Sequence, residues 1–440
     1  MDILNIKGLT VDPVRTIETN HHLIIGIERR PITEQVCLHC FSTQFVPNGT
    51  RSVRYADLPI RGKPVILEWH RQRYRCQNCG KSSSDNHSAF HDEFMMTTRL
   101  YEWVATRCMT HTFSSVALDV GLDERSVRRV FEHWSDIRLK ELEIETPRIM
   151  GIDEVHLLNA ARGILTNIGK RTLVDLLPNR DYDTMARRIS KMPDRERVKV
   201  LAMDMWSPYR SLAENLLPNA TVVIDKWHVT KYADLGMETI RKSHRAELSD
   251  AMRRQLLHDR FLLLSRAHKL TPAQTMIMET WTHQFPDLAA AHVAKESFYD
   301  IYDCPDRRSA EVALDRWLSS LTPEMKTAFK KLLSALKNWR ELILNYFDVR
   351  ITNAYTEALN GLIKISNRNG RGYSFKVLRA RTMLNREAAR QQRLKQTPQD
   401  QDMEKFAYFT TVARYELPQT PKHYGADIST IARLWEDDLF

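Results

Sequence analysis

IMGIDEVH, residues 149–156, is a short apolar run with Asp153 near its end. Its length and apolar content favour a strand, and two runs of the same kind follow, Ile164 to Lys170 and Thr172 to Leu177. A helical pattern comes next at about Asp183 to Ser190, then a strand at Val198 to Met203, a helix at Pro208 to Leu217 and a strand at Thr221 to Ile224. The order β-β-β-α-β-α-β is that of a ribonuclease H-like α/β fold, in which three antiparallel strands precede strands added through crossover helices. In that plan the first and fourth strands lie side by side.

The plan singles out acidic residues at strand ends. An ionised carboxylate where the core begins is costly unless it is paired or binds a cation, which makes Asp153 the first candidate; Glu154 points to the opposite face. Asp204, in VKVLAMDMWSPY, ends the fourth strand, and Asp225, in TVVIDKWHV, ends the fifth. Because the first and fourth strands adjoin, Asp204 is assigned as the second carboxylate. Asp225 and His228 form a supporting D-x-x-H arrangement, in which His228 could orient a carboxylate, contact DNA or satisfy a buried hydrogen bond. In NAYTEALNGLIK, Asn353, Glu357, Asn360 and Lys364 share one helical face, either a solvated face or the source of a third carboxylate, Glu357. Three converging carboxylates suit two Mg²⁺ (or Mn²⁺) ions, one activating a water or a DNA 3′-hydroxyl and one stabilising the leaving oxygen.

Outward from this region, lysine plus arginine number 65 against 55 acidic residues, a formal charge of +10 spread along 440 residues, which favours a polyanionic partner. No apolar run reaches the roughly 18 residues of a membrane span, and MDILNIKGLTVD lacks a signal-peptide apolar region, so a cytoplasmic protein without membrane contact is expected. Cys37-x-x-Cys40 and Cys76-x-x-Cys79 have the pairing of a closed structural zinc site; Cys108 and Cys304 read as reduced thiols. Between the pairs, Val65, Leu67 and Trp69 share a strand face that continues into Arg71, Arg73 and Arg75, a row that either tracks phosphates or keeps an edge strand soluble.

FSSVALDVGLDERSVRRVFEHW, residues 113–134, outlines a helix-turn-helix: Gly121 turns, and Asp123 caps a second helix with Ser126, Arg128 and Arg129 near its start. An ordinary helical hairpin is the alternative. From Thr230 to about Phe347 the pattern is helical only. After Glu357, the basic IKISNRNGRGYSFKVLRAR, with Lys364, Arg368, Arg371, Lys376, Arg379 and Arg381, is expected to face nucleic acid. The expected domains are therefore zinc-binding (1–84), helix-turn-helix (85–145) and catalytic (146–390, with an all-helical insertion at about 230–350). A tail of unassigned role follows (391–440).

The two CxxC pairs, the helix-turn-helix, GIDE at Asp153, DMWSPY at Asp204, VVIDKWHV at Asp225 and TNAYTEALNGLIK at Glu357 together resemble the bacterial insertion-sequence transposases of the ISL3 group, over most of the chain to about Arg390. The resemblance implies a DDE triad in a ribonuclease H-like domain, a helical insertion before the glutamate, magnesium dependence and structural zinc. It also implies recognition of terminal inverted repeats on double-stranded DNA, cleavage and strand transfer into target DNA, and a homodimer or larger assembly. Related families carry both an aspartate at the fourth strand and a D-x-x-H or C-x-x-H after the fifth, so the choice between Asp204 and Asp225 stays open. A catalytically inactive, transposase-derived DNA-binding regulator and a structure-selective nuclease are the competing expectations.

Overall fold

Side-chain alternation builds the first sheet. The computed structural model describes residues 4–29, 36–370 and 372–385, which fall into two compact units: residues up to 142 with 368–385, and residues 143–367. In the first unit β1 (Leu9–Glu18), β2 (Leu23–Arg29), β3 (Phe45–Ile60) and β4 (Lys63–Cys76) are ordered β1-β2-β4-β3, and β5 (Ser82–Ser84) also pairs with β4. Arg61 and Gly62 join β3 to β4 with φ of 52° and 75°, as a two-residue hairpin turn matched to strand twist requires. Val65, Leu67 and Trp69 alternate inward and pack with Leu4, Ile25, Ile27 and Phe90.

Three capped helices follow: α1 (Thr98–Arg107), α2 (Phe113–Val120) and α3 (Glu124–Glu141). The side chains of Thr97, Thr112 and Asp123 each accept a backbone N–H three residues on, satisfying one orphan donor per helix. Gly121 ends α2 at φ 68°, and a Cβ there would lie 2.4 Å from Pro64 Cγ, so only glycine fits the turn.

The core of these helices is completed from far along the chain. Residues 375–385 are helical, and Tyr373, Val377, Leu378, Ala380 and Leu384 pack with Leu100, Phe113, Val127 and Phe131. Arg381 donates to the Met109 carbonyl at 2.9 Å, and Lys376 reaches Asp136 at 2.6 Å. The unit division therefore differs from the expected catalytic span of 146–390, because the apolar face of the 375–385 helix finds its partners among α1–α3.

In the second unit β6 (Ile149–Leu157), β7 (Ala160–Asn167), β8 (Thr172–Leu177), α4 (Tyr182–Ser190), β9 (Val200–Met203), α5 (Ser207–Leu216) and β10 (Thr221–Ile224) succeed one another. The sheet order is β10-β9-β6-β7-β8, antiparallel from β6 to β8 and parallel between β6, β9 and β10. The second strand spans 160–167 rather than the expected 164–170. Leu158 and Asn159, both at positive φ, turn the chain earlier, and the Asn167 side chain accepts the Lys170 N–H where the strand ends. Gly151 pairs with Ala202, which pairs with Val223, so Asp153, Asp204 and Asp225 each stand two residues beyond one register level, at the same end of the sheet.

Beyond β10 the described residues are helical: α6 (Lys226–Ser243), α7 (Asp250–His258), α8 (Arg260–Leu264), α9 (Pro272–Gln284), α10 (Pro286–Ile301), α11 (Arg307–Ser320), α12 (Pro323–Ala328), α13 (Lys330–Leu344), α14 (Tyr346–Val349) and α15 (Ala354–Gly370). Met150, Leu201 and Tyr209 share one core with Val229, Phe298, Phe329 and Leu336. Among the described residues no helix is long and apolar enough to cross a membrane.

Because α1–α3 borrow part of their core, a fragment ending at residue 142 strips Tyr373 from Phe113, ring centroids 5.1 Å apart, and Val377, Leu378, Ala380 and Leu384 from the cluster; losing one large core side chain alone costs about 2–5 kcal/mol. In urea denaturation the fragment is expected to lose the cooperative transition of these helices, and a covalently linked 368–390 segment is expected to restore it. Equal stability of the two would refute the borrowed core.

Candidate active site

The site is assembled by the way α15 lies on β6. Asn353, at the start of that helix, donates from its side chain to the Ile152 carbonyl at 3.1 Å, and its backbone N–H reaches Asp225 Oδ1 at 3.1 Å. One turn on, the Thr356 hydroxyl lies 2.7 Å from that of Thr166, and Asn360 donates to Asp153 Oδ2 at 2.8 Å and to the Glu154 carbonyl at 3.2 Å. These residues are buried, so the polar stripe is a docking face and not a solvated one, although Lys364 at its far end is exposed. Gly151 makes the approach possible: a Cβ there would lie 2.5 Å from Asn353 Oδ1 and 2.6 Å from Thr356 Oγ1. Glu357 is thereby carried to Asp153 within β6 and to Asp204 and Asp225, which directly follow β9 and β10.

Four carboxylates meet one imidazole. Asp153 and Asp225 are only 5% and 2% exposed, while Asp204 and Glu357 open partly to solvent. His228 Nε2 stands 3.0 Å from Asp204 Oδ1, without hydrogen-bond alignment, and 3.8 Å from Glu357 Oε1. Burial, then the Asp204 charge, pushes Asp153 up to about 8, and burial with the Asp225 charge pushes Glu357 up to about 7. Burial raises Asp225 as well. Burial alone would depress His228, but Asp204, Asp225 and Asp153 outweigh it and raise its proton affinity. Asp204 Oδ1, Asp225 Oδ2, Asn353 Oδ1 and Asn360 Oδ1 are buried acceptors without a hydrogen-bond partner among the described residues.

All five residues read from the sequence are thus in one neighbourhood, but their grouping differs from the expected triad. The tightest set is Asp225, His228 and Glu357, whose ligand atoms lie within 4.8 Å of one another. Asp204 joins through His228, and Asp153 is held by Asn360. Two positioning residues went unread: Thr356, inside the quoted motif, and Tyr209, whose hydroxyl donates to the Asp153 carbonyl at 3.2 Å from the end of DMWSPY.

In the first unit, Cys37 Sγ lies 3.6 Å from Cys79 Sγ and Cys40 Sγ 3.6 Å from Cys76 Sγ. Zinc with Zn–S bonds of about 2.3 Å separates its thiolates by about 3.8 Å, so the four sulfurs fit a tetrahedral ion. Each knuckle closes alike: Phe41 and Gly80 donate back to Cys37 and Cys76, and both take positive φ. The backbone N–H of Cys79 helps draw the Cys76 thiol down to about 6, toward the thiolate a metal needs.

Along α3, Ser126 is consumed by the Asp123 cap, and Arg128 pairs with Glu124 at 3.1 Å while lying over the Phe113 ring. Arg125 and Arg129 are exposed one turn apart, and Arg125, present in DERSVRR, was not singled out by the sequence reading. Arg71 turns inward, donating to the Asp85 carbonyl and to Tyr55 and lying over Trp69, whereas Arg73 is exposed. Arg368 is exposed, and Arg371 lies outside the described residues.

Comparison with known proteins places these parts in one family. Residues 150–382, over half of the chain, match the ISL3 family model described as transposase. Residues 33–79 match the zinc-finger of transposase IS204/IS1001/IS1096/IS1165, and residues 95–135 the helix-turn-helix domain of transposase family ISL3. A curated relative, the transposase for insertion sequence element IS1001 of Bordetella parapertussis, is 22% identical over 371 residues, covering 82% of this chain and 89% of the relative. With its zinc-finger, helix-turn-helix and transposase regions matched in that order, the chain belongs to the ISL3 family of DNA transposases.

Proposed function

We propose that Asp153, Asp204 and Glu357 are the DDE triad of a ribonuclease H-like domain with a helical insertion at about 230–350, and that the protein cuts and joins DNA at the terminal inverted repeats of an insertion sequence. The observation that carries this reading is the gathering of Asp153, Asp204 and Glu357 around one imidazole, where burial and their mutual charge suppress ionisation of Asp153 and Glu357. Such a donor set fits a hard divalent cation, which prefers oxygen ligands and need not displace every water. When bound by Asp153, Asp204 and Glu357, Mg²⁺ (or Mn²⁺) supplies charge stabilisation at the reacting phosphate and activation of a water or 3′-hydroxyl.

The remaining residues position these three. His228 holds its proton between Asp204 and Glu357 and limits their repulsion; Asp225 fixes the start of α15 through the Asn353 N–H, and Asn360 orients Asp153. DNA is gripped by Arg125 and Arg129 of α3, with Arg73, Lys364 and Arg368 as further phosphate contacts, and the zinc-bound knuckles stiffen the N-terminal sheet. Two copies act together as a homodimer or larger assembly on paired ends.

Two measurements test this. With end-bearing DNA and Mg²⁺, Asp153→Asn, Asp204→Asn and Glu357→Gln should each lower cleavage on the order of a thousandfold with DNA binding kept, whereas Asp225→Asn should lower it roughly 10- to 100-fold. An active Asp204→Asn beside an inert Asp225→Asn would exchange their roles. The second concerns pH. Asp153 is raised from its ordinary 3.8 to about 8, so in metal-free protein the stability it contributes is full below pH 3.8 and is lost as pH rises to about 8. The melting temperature of wild type relative to Asp153→Asn should therefore fall across that range, and Mg²⁺ should recover it most at the alkaline end, releasing protons. A difference independent of pH and Mg²⁺ would contradict the assignment.

A further inference from the structure

A cleft opens beside the carboxylate centre. Met205, next to Asp204, lines it; so does Tyr232 of α6, one helical turn from His228 on the same face; Lys331, Ser334, Asn338 and Trp339 of α13 complete it around about 260 Å³. Two aromatic rings, an ammonium, a hydroxyl and an amide thus line one cleft that reaches the carboxylate centre at Met205 and Tyr232. Lys331 is exposed and has no acidic partner among the described residues. Arg210, paired with Glu214 at 2.9 Å, borders the cleft, its guanidinium 5.7 Å from the Trp339 ring centroid and 3.5 Å from the Asn338 carbonyl.

That combination suits a planar heterocycle carrying a phosphate: a ring face to stack on, polar groups for the edge, and the Lys331 ammonium for the backbone. The need for it follows from the depth of the site. Asp153 and Asp225 are nearly enclosed, and a phosphodiester approaches them most readily where the strand has left the regular duplex. A base unstacked at that point loses its neighbours, and an aromatic surface nearby replaces part of what it loses.

We propose that the cleft holds an unpaired nucleobase of the DNA strand whose phosphate lies at the carboxylate centre, with Trp339 as the stacking surface and Lys331 on an adjoining phosphate. The proposal deepens the transposase reading and depends on it. The test uses full-length protein, Mg²⁺ and two versions of the element end, one fully paired and one with mismatches flanking the cut, which supply the unpaired base in advance. Trp339→Ala should cut the paired end roughly tenfold more slowly than wild type, bind it within about twofold, and recover to within about threefold of wild type on the mismatched end. Trp339→Phe should keep most of the activity on both ends. Lys331→Gln, at an exposed position, should slow both ends by a similar few-fold factor, since a phosphate contact does not depend on pairing. A Trp339→Ala enzyme as fast as wild type on the paired end, or one slowed equally on both ends, would overturn the proposal. A wild-type protein that cuts neither end would overturn the function reading, and the proposal with it.

Discussion

The closeness with which α15 lies on β6 governs the rest of the second unit. The contact is polar and buried: Asn353, Thr356 and Asn360 bond to Ile152, Thr166, Asp153 and Glu154 over a strand that has glycine at the point of nearest approach. Apolar packing tolerates sliding, but buried amides do not, since a shift that breaks a pair leaves both partners unsatisfied at about 1–3 kcal/mol each. The helix therefore docks in one register, and Glu357 arrives where the parallel strands β6, β9 and β10 have already aligned three aspartates.

That geometry gathers charge against its own repulsion. The chain as a whole carries +10, which draws a polyanion, while the centre presents four carboxylates to one imidazole, which repels it. The two fields are compatible only if protons or cations occupy the acidic cluster, and burial with the Asp204 charge favours a proton on Asp153. The proposed divalent ion, in replacing them, would convert a site hostile to phosphate into one that attracts it.

How much of this was legible in the sequence depended on whether the signal was local. Strand length and apolar runs led to the order β-β-β-α-β-α-β; Asp204 lies just past β9 as read, whereas Asp153, read at a strand end, lies in the middle of β6, which runs on to Leu157 in its pairing with β7. The helical stripe around Glu357 was visible by spacing, but whether it faced solvent or protein was not, since Gly151 sits some two hundred residues away. The limits of β7 were misjudged because Leu158 and Asn159 form a tight turn without glycine. Arg71 read as one of a row, although its partners, Tyr55 and the Asp85 carbonyl, come from other segments. The contribution of Tyr373 and Leu378 to the helix-turn-helix core was hidden by their distance along the chain and by the basic residues interleaved with them.

The central claim is that Asp153, Asp204 and Glu357 bind the catalytic cation while Asp225 and His228 position them. Anomalous scattering from Mn²⁺ in crystals of the protein bound to an element end tests it most directly. The account predicts manganese in contact with the carboxylates of Asp153, Asp204 and Glu357. Manganese held by Asp225, His228 and Glu357, with Asp153 still bonded to Asn360 and clear of the ion, would contradict it.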